Sequence, residues 1–94
     1  MTRSSISIEK RNDNVFEVTV ANSVTTTHTV TVNDQSLTDL TDNNATKTQL
    51  IDFSFKFLLN REKNTSILAS FDINVISRYF SDYKDEVKSW CDEI

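Results

Sequence analysis

Glycine and proline are both absent from the 94 residues. Average usage would supply roughly six or seven of the first and about five of the second. A glycine-rich phosphate cradle is therefore excluded, and each tight turn falls to Asn, Asp or Ser, of which Asn and Asp best tolerate the left-handed region. Cys91 is the only cysteine, so neither an intrachain disulfide nor a multi-cysteine zinc site can form, and a reducing compartment is the natural reading. No apolar run approaches the roughly 20 residues of a membrane span. The start, "MTRSSISIEKRND", lacks the apolar core of a signal peptide. These absences point to a cytoplasmic location. Positive charge is also scarce, 10 Lys and Arg against 14 Asp and Glu, for a net charge of −4. That balance works against a nonspecific nucleic-acid or anionic-membrane surface, since both need accumulated positive charge.

What is present suits a packed core. The chain is 37% hydrophobic and carries six Phe, two Tyr and one Trp. Its length fits a single domain, residues 1–94, whose small core must be efficient or completed by a partner.

The first third alternates with the period of two that marks half-buried strands. Ile6 and Ile8 alternate with Ser and Glu, and "RNDN" follows as a turn. Phe16, Val18 and Val20 then share one face, and after "ANSV" so do His28, Val30 and Val32. Thr25, Thr27, Thr29 and Thr31 share the opposite face, which can be left wet, paired with another chain or covered. From Val32 the period lengthens. Asn33 or Asp34 can cap a short helix bearing Leu37 and Leu40, with Asn43 or Asn44 replacing glycine at its end. Thr46 and Gln49 form a capping-box pattern. In the helix that follows, seven apolar residues from Leu50 to Leu59 cover roughly 240° of arc at about 100° per residue. Such a helix needs cover on more than one side. Asn64 or Thr65 can cap a short helix with Ile67, Leu68 and Phe71, and Asp72 can cap "INVISRYF". Ser81 can cap a last helix with the stripe Tyr83, Val87, Trp90 and Ile94.

The expected fold is α+β. An N-terminal three-stranded antiparallel meander, residues 1–33, packs against three to five helices in residues 34–94. The Phe16, Val18, Val20, Val30 and Val32 face is expected to meet the Leu50–Leu59 helix.

Chemistry-bearing residues are few. His28 lies among valines and has neither a second histidine nor a cysteine nearby, so it reads as a buried or sheet-edge residue rather than a metal ligand. Nothing local activates Cys91, which Asp, Glu and Trp surround. The carboxylates are scattered, without an acid/base pair. Neither catalytic residues nor cofactor or metal ligands are proposed from the sequence. Tyr79, Phe80 and Tyr83 cluster at a junction of two helices and are the candidate partner contacts, because Tyr is favoured at interfaces.

Two resemblances follow from longer stretches. "HTVTVNDQSLTDLTDNNATKTQLIDFSFKFLLNRE" runs strand, short helix, turn, capped helix. It resembles the ribbon-helix-helix order of small dimeric DNA-binding regulators and antitoxins. The resemblance implies a two-chain ribbon in which Thr27, Thr29 and Thr31 read the major groove, with Thr46 near phosphate. The reading face lacks Arg, Lys, Asn and Gln, the side chains suited to bidentate base contacts. "TTTHTVTV" with "LIDFSFKFLLNREKNTSILASFDINVISRYFSDY" is similar to a family of small, stand-alone, uncharacterised bacterial proteins. This second resemblance implies that Leu50–Tyr83 is one unit, and it supplies no activity. The sequence thus favours a non-enzymatic protein–protein interaction module, in which the broad apolar helix leaves room for a homodimer. A ribbon-helix-helix-like regulator is the alternative.

Overall fold

The computed structural model describes residues 5–94. Residues 1–4 of the expected meander lie outside the described residues. The period-two segments form strands β1 (Ser5–Lys10), β2 (Val15–Ala21) and β3 (Thr26–Thr31). They pair antiparallel in sequence, with Ile8 opposite Val18 and Val18 opposite His28. That register puts Phe16, Val18, Val20, His28 and Val30 on one face, each at most 2% exposed. Asn12 makes the first turn without glycine by accepting the N–H groups of Asn14 and Val15 through its side chain.

Helix α1 (Asp34–Thr41) starts at Asn33, whose side chain accepts the Ser36 N–H, and ends with Asp42 and Asn43 both at positive φ. Here Asp and Asn perform the left-handed turn that glycine usually makes. Helix α2 (Lys47–Leu59) carries the expected capping box, Thr46 accepting the Gln49 N–H and Gln49 accepting the Thr46 N–H. Lys47 secures this corner with three contacts. Its Nζ donates to the Asp13 carbonyl and Asn14 Oδ1 and pairs with Asp34 at 2.7 Å. The hydrogen bond and charge of Lys47 hold the Asp34 carboxyl below its ordinary range.

Two expectations need correction. The segment read as a short helix with Ile67, Leu68 and Phe71 makes only one 3-10 turn, Asn64–Ser66, before extending into strand β4 (Ser70–Asp72). β4 pairs parallel to β3, so among the described residues the sheet has four strands in the order β1-β2-β3-β4. Such a parallel neighbour requires a crossover, which α1 and α2 provide. The last helix begins later than Ser81 suggests: after a 3-10 turn at Ile73–Val75 and the short α3 (Ile76–Tyr79), α4 spans Tyr83–Glu93. Its buried stripe is Tyr83, Val87 and Cys91, while Ile94 is 60% exposed.

The architecture is accordingly α+β, with a mixed sheet whose apolar face is covered by helices. The breadth of α2's apolar surface is satisfied within one chain. Phe55 meets the sheet, its ring 5.4 Å from His28 and 6.1 Å from Phe71. On another side, Phe57 packs edge-on against Phe80 and Tyr83, and Phe53 stacks on Trp90 at 4.7 Å.

Candidate interaction groove

Helix α2 supplies one wall of an apolar groove through Leu58, and the chain that returns through β4 builds most of the rest. His28 is 2% exposed on β3 and faces two partners, Thr26 Oγ1 at 2.8 Å and the Leu68 carbonyl at 2.7 Å. A carbonyl can only accept, so Nδ1 carries the proton and donates to Leu68. Nε2 shares a hydrogen bond with the Thr26 hydroxyl, which accepts from Asn64 Nδ2 at 3.0 Å. The second Asn64 amide hydrogen reaches the Val24 carbonyl at 2.7 Å. Asn64 thus ties the β2–β3 loop to the 3-10 turn, and His28 anchors the main chain at Leu68. These bonds leave no buried side-chain polar atom unpaired among the described residues.

Anchoring the Leu68 main chain leaves its side chain 48% exposed on the rim of an apolar groove. The groove, about 400 Å³, lies between the C-terminal end of α2 at Leu58 and Glu62, the run from Ile67 to Phe71, and α3 with Phe80. Its volume falls within the roughly 300–1,000 Å³ typical of ligand sites. Tyr79, on α3, also lines the groove and is 69% exposed. Near Phe80 the guanidinium of Arg61 lies 3.7 Å over the Phe57 ring and 5.8 Å from that of Phe80. Its Nη2 is held by Asp82 at 2.6 Å.

The structure splits the three candidate contact residues. Tyr79 points out, Phe80 forms part of the groove wall, and Tyr83 belongs to the core at 0% exposed. The Tyr83 hydroxyl lies 2.6 Å from Ser54 Oγ, and Ser54 donates onward to the Leu50 carbonyl at 2.7 Å. Burial pushes the Tyr83 phenol above its ordinary range, with the Ser54 bond opposing the shift. A partner cannot reach this residue. Leu68, which the sequence reading placed inside a helix, takes its place at the surface. Of the four exposed large hydrophobics among the described residues, Leu68 and Tyr79 both line the groove.

Thr27 and Thr29 lie exposed on the open face of β3, with Thr31 half-buried beside them. β3 is paired to β2 on one side and β4 on the other. A ribbon shared by two chains needs a free edge at this strand, so the ribbon-helix-helix arrangement does not form here. Cys91 is buried, and burial pushes its thiol up, with the carboxylates of Asp92 and Asp42 adding to the shift. Such a thiol is poorly disposed to act as a nucleophile. Among the described residues no group of three or more His, Cys, Asp or Glu side chains could hold a metal ion. Nor is any described helix long and apolar enough to cross a membrane. A scan against known protein families and searches of curated proteins and solved structures return no match for the chain.

Proposed function

We propose that the protein is a non-enzymatic protein–protein interaction module that receives an apolar segment of its partner in the groove between Leu68 and Tyr79. The observation that carries this reading is the pairing of an open apolar groove with two exposed large side chains on its rims. Tyr is enriched among binding hot spots, and a contiguous exposed apolar patch is characteristic of a contact site. Fully burying an exposed apolar side chain contributes about 1.5–3 kcal/mol. Leu68 and Tyr79 are only 48% and 69% exposed, so together they supply less than the lower estimate for the cost of association, about 4 kcal/mol. The partner must therefore also fill the groove, for instance with a Leu or Phe side chain over Phe71 and Phe80.

The test is affinity capture from the cytoplasmic fraction with wild type, Tyr79→Ala and Leu68→Ser, followed by titration of the recovered partner in purified form. The reading expects each variant to weaken the purified complex at least tenfold while melting like wild type. Equal affinities for all three proteins would overturn the groove as the contact surface. The alternative, duplex DNA binding through Thr27, Thr29 and Thr31, lacks the free strand edge that a two-chain ribbon needs, and the proposed reading expects no duplex binding. Titration of duplex DNA at several salt concentrations checks it, since phosphate contacts make affinity fall steeply with salt. The net charge of −4 favours no binding.

A further inference from the structure

The sheet ends on one side at β1, and among the described residues nothing pairs with its outer edge. The hydrogen bond from the Arg11 N–H to the Val15 carbonyl, 2.9 Å, sets which groups face out. Hydrogen-bonded and open pairs alternate along an antiparallel ladder. Ser5, Ser7 and Glu9 therefore bond to β2, and Ile6, Ile8 and Lys10 turn their N–H and C=O groups to the free edge. The ladder between β2 and β3 agrees: Val32 N–H bonds the Asn14 carbonyl, so even-numbered β2 residues serve β3 and odd-numbered ones serve β1. An edge of this kind is a template for another strand. Natural edges are commonly protected by proline, a bulge or charged side chains; β1 has no proline, pairs residue for residue with β2 from Ser5 to Lys10, and confines its charges, Glu9 and Lys10, to one end.

We propose that β1 pairs antiparallel with β1 of a second copy, about a two-fold axis at Ser7, joining the two sheets into one. The strand's own pattern selects this occupant and this register. Directly opposed residues must share a face, which allows only registers that match odd with odd and even with even. With Ser7 on the axis, Ile6 opposes Ile8 of the second copy in both directions, and the half-buried isoleucines cover one another. A shift that puts Ile8 on the axis sets Ile6 against Lys10 instead. The charges agree with the antiparallel sense. Glu9 and Lys10 sit at one end of the strand, and the two-fold sets Glu9 against the neutral Ser5, whereas parallel pairing in register would oppose Glu9 to Glu9. Glu9 already has a cation on its own chain, Arg11 at 3.1 Å. The groove lies by β4, at the opposite edge of the sheet, so the dimer carries two grooves at its far ends and can bind a bivalent partner with avidity.

Light scattering on the purified full chain across a tenfold dilution tests the inference. It expects twice the chain mass for wild type and for Tyr79→Ala, whose groove defect leaves β1 untouched. Ser7→Glu, which opposes two carboxylates across the axis on an exposed face, is expected to give the single-chain mass with an unchanged circular dichroism spectrum. Ile8→Pro removes an N–H that faces the free edge rather than β2 and is expected to do the same. In a Cys91→Ala background, Ser7→Cys is expected to cross-link into a covalent dimer under mild oxidation. A monomeric wild type, or a dimer that survives both Ser7→Glu and Ile8→Pro, would overturn the inference.

Discussion

Tyr83 and Ser54 form the buried polar pair whose consequences are easiest to measure. Ser54 spends its proton on the Leu50 carbonyl and receives that of Tyr83. Tyr83→Phe removes one bond and leaves Ser54 satisfied by Leu50, so it is expected to cost about 1 kcal/mol in urea unfolding. Ser54→Ala leaves the phenol buried without a partner and is expected to cost more, about 2–3 kcal/mol. Equal costs would contradict this arrangement of donors. The raised Tyr83 phenol also fixes a pH dependence. The unfolded chain loses the tyrosine proton first, so stability holds below about pH 10 and falls as the pH rises beyond it. Tyr83→Phe is expected to flatten that alkaline slope. The sequence placed Tyr83 at a helical junction and on an apolar stripe at once, and only the stripe proved structural. Two aromatics one turn apart look alike in a periodicity plot, and the partner at Ser54 that decides the matter lies 29 positions away. His28 was legible as a buried residue from its valine neighbours, but the carbonyl it serves is 40 positions distant.

Elements defined by local chemistry were the readable ones. The Thr46 and Gln49 box, the Asn33 cap and the alternation of β2 and β3 each draw their signal from neighbouring residues, and all three stand in the structure. Thr46→Ala is expected to lower stability by about 1 kcal/mol, read as a shift in the urea midpoint. Where a chain without glycine forces Asp42 and Asn43 into positive φ, the backbone carries strain that glycine would relieve. Asp42→Gly is therefore expected to stabilise the protein by up to about 1 kcal/mol, and a loss would show that Asp42 does more than end α1. β4 was not legible. Its three residues are too few for a period, and Ile67, Leu68 and Phe71 happen to fit a helical spacing. What makes the segment extended is tertiary, the parallel pairing of Val30 with Phe71 and the bond from the Thr29 N–H to the Ala69 carbonyl. The groove inherits this blind spot, because its Leu68 wall exists only when the segment leading into β4 is extended rather than helical.

At the scale of the whole molecule, the absence of glycine and proline has not prevented a closed core, since α2 is covered by the sheet and by the C-terminal helices of the same chain. Apolar surface left over is therefore local. Two of the four exposed large hydrophobics among the described residues, Leu68 and Tyr79, flank the groove at the β4 side, and the interaction reading rests on that pair. Polar surface dominates the other sheet face, with Thr27, Thr29 and Glu17 neighbours across β2 and β3. The most direct test is photo-crosslinking in living cells, with benzoyl-phenylalanine placed at position 79 and, as a control, at the exposed Lys88 on α4. The account predicts a discrete heteromeric adduct from position 79 that weakens when Leu68→Asp is added and does not form from position 88. No adduct at 79, or the same adduct from both positions, would contradict the groove as the protein's contact surface.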